Sequence, residues 1–210
     1  MATDDVYVIV KRTIDGNVVR YIERMKERFV AGVVEPSRSF FVDSGLSYDG
    51  SPATVFSGLD HLEGEDVSVL ADGNVVTGMT VASGSITIPN AASVVVVGLP
   101  FTSTLETLDF ELRGANGSPT IHNNHRNVNG VTVKLKDTRA MNIGPDTDSL
   151  EEQNFRTDED PGDPTDLYSG DWKLPLNPGN ADEAVVVIQN TDPLPINVLS
   201  IVAELEVGEI

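Results

Sequence analysis

VYVIVKRTIDGNVVRYIER (Val6–Arg24) sets a β-branched, aromatic run on each side of Asp15-Gly16. An Asp-Gly pair suits a two-residue hairpin because that turn needs positive φ, which Gly adopts freely and Asp tolerates. Val18, Ile22, Met25 and Phe29 also recur at helical spacing, so the second arm has a helical reading too. The strand reading, through about Arg24, is preferred because the turn and the first strand demand a partner.

Working outward, Glu35-Pro36-Ser37 interrupts the pattern and marks a boundary. From Phe40 to Leu99 the chain is a series of short β runs: Ala53–Phe56, Val67–Leu70, Val75-Val76, Met79–Val81, Ile86–Ile88 and Val94–Val97. Turn signals at Asp49-Gly50, Asp72-Gly73 and Ser83-Gly84 separate them, a spacing that favours a small barrel or sandwich. Thr107–Leu112 precedes loop-like chain at Gly114–Pro119, His122–His125 and Asn127–Gly130, and Val131–Leu135 then alternates as a half-buried strand should. Asp146–Asp166 holds nine acids, one arginine and two prolines, and is expected to be a long exposed loop. Trp172–Leu174, Ala184–Gln189 and Ile196–Val207 return to β, with an extended turn at Asp192-Pro-Leu-Pro195.

The expected fold is therefore all-β. A small antiparallel β-barrel or sandwich spans 38–101, and a second antiparallel β unit spans 102–210 with its acidic loop at 146–166. The N-terminal hairpin, within 1–36, is expected to pair with the chain after residue 102, which would make the middle block an insertion.

Length and composition bound the function. At 210 residues, 40% apolar and 22% charged, the chain can bury a real core. Its 33 acids against 14 Lys and Arg give a net charge of −19, which repels phosphates and argues against tight wrapping of DNA or RNA. A wall past which DNA slides is compatible with that charge, since sliding needs weak contact. The absence of cysteine removes disulfides, thiolate catalysis and cysteine-based zinc sites. Met1-Ala-Thr-Asp-Asp5 lacks the basic start and apolar run of a secretory signal, and runs such as Val94–Val97 are too short to span a membrane. A soluble chain without membrane insertion is the expectation.

Several clusters invite chemistry. GLDHLEGEDVSVLADGNV (Gly58–Val75) places His61 among Asp60, Glu63, Glu65, Asp66 and Asp72. Imidazole and carboxylates suit zinc, iron or manganese, yet no helical or alternating framework aims these groups at one point. Solvated loop acids, with His61 packing or capping locally, are expected instead. His122 and His125 stand between asparagines without the helix that gives such spacing meaning. Asp158–Asp166 suggests calcium, but the glycine and terminal glutamate of an EF-hand are misplaced, so no metal and no cofactor is expected. Asp158, Glu159, Asp160, Asp163 and Asp166, with Tyr168 and Trp172, remain a candidate interface or ligand loop, and Tyr48, Tyr168 and Trp172 offer stacking faces for a sugar. Lys11-Arg12 and Arg20–Arg28, near Tyr7 and Tyr21, sketch an aromatic-basic face for nucleic acid, but interleaved Glu23 and Glu27 favour a salt-bridged strand face. No nucleophile elbow, P-loop or dinucleotide motif occurs, and a glycosidase-like carboxylate pair cannot be picked out of so acidic a chain. An enzyme is not expected.

Six stretches follow one another along the chain: VYVIVKRTIDGNVVRYIERM (Val6–Met25), FFVDSGLSYDG (Phe40–Gly50), GLDHLEGEDVSVLADG (Gly58–Gly73), VVVVGLPFTSTLETL (Val94–Leu108), YSGDWKLPL (Tyr168–Leu176) and VVIQNTDPLPINVLSIVAELEVG (Val186–Gly208). In that order they resemble the C-terminal part of bacteriophage tail nozzle or tail tubular proteins, also described as packaged-DNA stabilisation proteins. Each is a generic β signature alone; their order over most of the chain is what carries the resemblance. Gly114–Asp166 departs most, with a longer acidic loop. Family members are usually much longer, with a propeller-like region before this part, so the resemblance implies a fragment or an unusually short member. It further implies a structural virion protein of the tail: a ring, commonly six-fold, next to adaptor or fibre proteins, whose lumen retains and conducts DNA without specific binding. The alternative is a tail-associated module that binds host surface glycan or another tail protein through the acidic loop.

Overall fold

A computed structural model of the chain describes residues 5–110, 126–177 and 184–207. It is all-β and antiparallel, with thirteen strands, two short 3-10 turns and no α-helix among those residues. No helix there is long and apolar enough to cross a membrane. The chain divides into two compact units. The first holds 5–101 with 158–165 and 191–195; the second holds the described parts of 102–157, 166–190 and 196–207.

In the first unit, β1 (Tyr7–Ile14) and β2 (Asn17–Arg24) form the hairpin, in register from Tyr7↔Arg24 to Ile14↔Asn17. Asp15 and Gly16 both take left-handed φ, 44° and 72°, as a primed two-residue turn requires. The strands pair with each other, and Ile14, Val19 and Tyr21 join the core of the middle block; among the described residues neither strand makes the expected pairing with chain after residue 102. The helical spacing of Val18, Ile22 and Met25 has no structural counterpart, because the alternating burial of β2 sends Val19 and Tyr21 inward.

The middle block is one four-stranded sheet in the order β3-β6-β4-β5, built from β3 (Asp43–Ser57), β4 (Asp66–Ala71), β5 (Asn74–Thr80) and β6 (Ser85–Leu99). With β3 and β5 at its edges, this sheet is open rather than a closed barrel. Asp72-Gly73 and Ser83-Gly84 are tight turns with both residues at positive φ. Asp49-Gly50, expected as a turn, is instead a bulge within β3, where the register jumps from Asp49↔Val94 to Ala53↔Ala92. Tyr48 closes that bulge by donating its hydroxyl to Ser51 O at 2.8 Å while its ring meets Phe56 edge-on. Both faces of the sheet are covered. Val67, Val69, Val95 and Val97 point into the main core, and Leu70 and Val96 pack with Val42, Phe40 and Leu194 on the other side. That two-sided burial explains the unbroken run Val94–Val97.

The second unit is a two-sheet sandwich. One sheet runs β10-β9-β12-β7, from β7 (Ser103–Glu106), β9 (Asn142–Gly144), β10 (Glu151–Glu152) and β12 (Val187–Asn190). The other runs β11-β8-β13, from β8 (Arg126–Thr138), β11 (Tyr168–Pro175) and β13 (Val198–Val207). Val131, Val133, Leu135, Ile143, Leu174 and Ile188 from the two sheets share one core. Buried Arg126 clamps it at one end, pairing with Asp109 and donating to Phe110 O at 3.1 Å, while Asp109 also accepts from Ala184 N at 3.0 Å.

The acidic segment 146–166 is not the uninterrupted exposed loop expected from composition. Glu151–Glu152 pair with β9, and Phe155 is buried in the second core. Residues 158–165 then belong to the first unit, so the second unit does not run unbroken from 102 to 210.

Candidate functional site

The Gly58–Val75 stretch resolves into a 3-10 turn (Asp60–Leu62), β4, and the turn into β5. Leu59 and Leu62 are buried and anchor it, leaving the polar residues between them at the rim. The Glu63 carboxylate accepts from Ser83 N at 2.8 Å and Gly84 N at 2.7 Å. Those backbone donors, Gly84 first, hold its carboxyl below the usual carboxylate range. Glu65 accepts from Asp15 N at 2.9 Å and so ties down the hairpin turn. Asp66 accepts from the Thr80 hydroxyl at 2.6 Å, and Asp72 accepts from Ser93 N at 3.1 Å and Val94 N at 2.8 Å.

His61 has a comparable task. Its Nε2 lies 3.0 Å from Ser44 O; a carbonyl can only accept, so Nε2 carries the proton and donates. Its own carbonyl accepts from the Tyr21 hydroxyl at 2.9 Å, with the two rings edge-on at 6.0 Å. These acids diverge onto separate partners, backbone N–H groups for Glu63, Glu65 and Asp72 and the Thr80 hydroxyl for Asp66, rather than converging. Among the described residues, no three His, Asp or Glu side chains gather as metal ligands. The stretch stabilises turns.

The candidate ligand loop is divided. Asp158, Glu159, Asp160 and Asp163 lie in the first unit, where Asp163 N donates to Asp160 O at 3.0 Å and Gly162 O accepts from the Asn74 amide at 2.9 Å. Asp166, Tyr168 and Trp172 lie in the second. The structure does bring Tyr168 and Trp172 together, around Phe155: ring centroids are 5.4 Å from Phe155 to Tyr168, 4.7 Å from Phe155 to Trp172, and 5.2 Å between Tyr168 and Trp172. The Tyr168 hydroxyl donates to Asp171 O at 2.9 Å and Trp172 Nε1 to Gln153 Oε1 at 3.0 Å. These aromatics spend their faces and polar ends on one another and on neighbouring chain, which suits a core rather than a sugar platform. The His122/His125 pair lies outside the described residues.

The basic hairpin separates by face. On the inner face Arg12 grips Glu23 with two bonds of 3.0 Å, and Asp43 is 3.7 Å away. The Arg12 guanidinium lowers the Glu23 carboxyl below its ordinary value, and the same hydrogen bond raises Arg12. On the outer face lie Tyr7, Ile9, Lys11 and Thr13 opposite Arg24, Ile22, Arg20 and Val18. Tyr7 and Tyr21 therefore point to opposite sides and make no common aromatic-basic surface. The expectation of a salt-bridged strand face holds for Arg12–Glu23 and, more loosely, for Arg24–Asp5 at 3.5 Å. The exposed Ile9–Ile22 pair beside Tyr7 escaped sequence reasoning, although the unbroken apolar run Val6–Val10 signalled a strand apolar on both faces. In comparisons with known proteins, no family model and no curated protein matches this chain.

Proposed function

We propose that this chain is a structural protein of a bacteriophage tail that oligomerises into a nozzle or tube through which DNA is retained and conducted. The observation that carries the reading is the ordered series of motifs from Val6–Met25 to Val186–Gly208 that resembles tail nozzle proteins. The geometry of those motifs supports an architectural use. Glu63, Glu65, Asp66 and Asp72 are committed to turns and strand ends, where carboxylates hold shape. Among the described residues β3 and β5 are the edge strands of their sheet, and such edges offer surfaces that neighbouring subunits can cover. The net charge of −19 supports a lumen from which the duplex is repelled and so slides rather than sticks.

On this reading the partners are further copies of the chain in a ring, six-fold by the resemblance, and adaptor or fibre proteins beside it in the virion tail. The role involves no catalysis and no cofactor. Light scattering of the purified chain tests the ring directly. A mass near six copies is expected; a monomer that binds host polysaccharide would instead favour the glycan-binding module.

A further inference from the structure

The outer face of the hairpin exposes a row of apolar side chains to water. Ile9 and Ile22 sit directly opposite one another and are 76% and 75% exposed, with Tyr7 and Val18 at 61% and 57% beside them. Among the described residues neither strand has a second partner, so the sheet there is two-stranded with both edges open. Such a ribbon is marginal in water and is held here by its inner face. Between the apolar residues, Lys11 lies directly across from Arg20. Like charges in opposite cross-strand positions destabilise a sheet. Among the described residues neither cation has a carboxylate partner.

Charge is also strongly segregated along the chain. Residues 1–38 hold seven of the 14 Lys and Arg and six of the 33 acids, whereas 39–210 hold seven cations against 27 acids. Residues 1–38 are thus near neutral, carry the hairpin with its cationic, apolar outer face, and are attached to a remainder of charge −20. We infer that this face docks against an acidic surface of a second copy of this chain, in a head-to-tail contact. Packing the face on its own equivalent would set Lys11, Arg20 and Arg24 against themselves. A duplex is a poorer fit, because its phosphate rim offers no apolar surface on which to bury the Ile9–Ile22 pair. In the head-to-tail arrangement the Ile9–Ile22 pair is the desolvated anchor and the cations are the rim that finds acids. Repeated head-to-tail contacts close into a ring when the rotation permits. The inference deepens the ring reading above and rests on it.

The test is assembly of the full chain, followed by light scattering, for the wild type, Ile22→Glu, Ile22→Thr and Arg20→Glu, at about 0.05 M and about 0.5 M salt. The wild type should assemble at low salt and dissociate at high salt. Ile22→Glu and Arg20→Glu should each weaken association by about tenfold or more, and Ile22→Thr less, with melting temperatures near wild type because both positions face solvent. A wild-type ring that persists unchanged in both charged variants overturns the docking face and leaves the ring reading standing. A wild type that remains monomeric at every concentration overturns the ring reading, and this inference with it. Binding of a short duplex that is abolished by Arg20→Glu, with assembly intact, overturns the inference in favour of nucleic acid.

Discussion

Replacing Phe155 with alanine tests whether the acidic segment is anchored or merely solvated. Phe155 is 4% exposed, with its ring 4.7 Å from Trp172 and 5.4 Å from Tyr168. Truncating a buried phenylalanine costs about 3–5 kcal/mol, from lost transfer free energy and the cavity left behind. Each aromatic pair accounts for about 0.5–1.5 kcal/mol beyond burial. Trp172 is the only tryptophan, so its emission reports on this core in a urea titration. With a urea dependence of about 2 kcal/mol per molar, the midpoint for the second unit should fall by about 2 M. Native emission should move to longer wavelength as water reaches the indole. Thr147→Ala, at an exposed position of the same segment, should change stability by no more than about 0.5 kcal/mol. A Phe155→Ala loss below about 1 kcal/mol, with unaltered emission, would refute the anchoring.

Two further outcomes follow from the turn-capping carboxylates. Glu63 has a depressed folded-state pKa, caused first by the Gly84 N–H and then by that of Ser83, so it contributes stability above its unfolded pKa and loses it as pH falls through the folded value. The melting temperature of the wild type should therefore fall more steeply than that of Glu63→Gln below the ordinary glutamate range, and parallel curves would count against the cap. Asp72 combines a left-handed φ of 46° with acceptance from Ser93 N and Val94 N, so Asp72→Ala should cost about 1–3 kcal/mol and Asp72→Asn, which tolerates that backbone, distinctly less by chemical denaturation.

The fold class was legible because its signals are local. Asp15-Gly16, Asp72-Gly73 and Ser83-Gly84 need positive φ at both positions, and few other residues accept that cheaply. Asp49-Gly50 carries a similar signal but serves a bulge, since β3 continues past it to pair again with β6. Long-range partners were invisible. Glu63 reaches 83 and 84, Glu65 reaches 15, and Asp72 reaches 93 and 94, so a list of acids resembling a metal site conceals a set of separate caps. Polarity hid Phe155 in the same way, because one buried ring outweighs several solvated carboxylates in deciding where a segment sits. The two-sided apolar character of β1 was in the sequence; only the register showed that Ile9 and Ile22 meet on an exposed face opposite a paired, buried one.

The most direct test of the architectural role is to locate the chain in a particle, by electron-microscopic reconstruction of virions labelled with an antibody against it. The account predicts label confined to the tail, in rotational symmetry about the DNA channel. Label on the capsid shell alone, or no label on particles from cells that produce the chain, would contradict it.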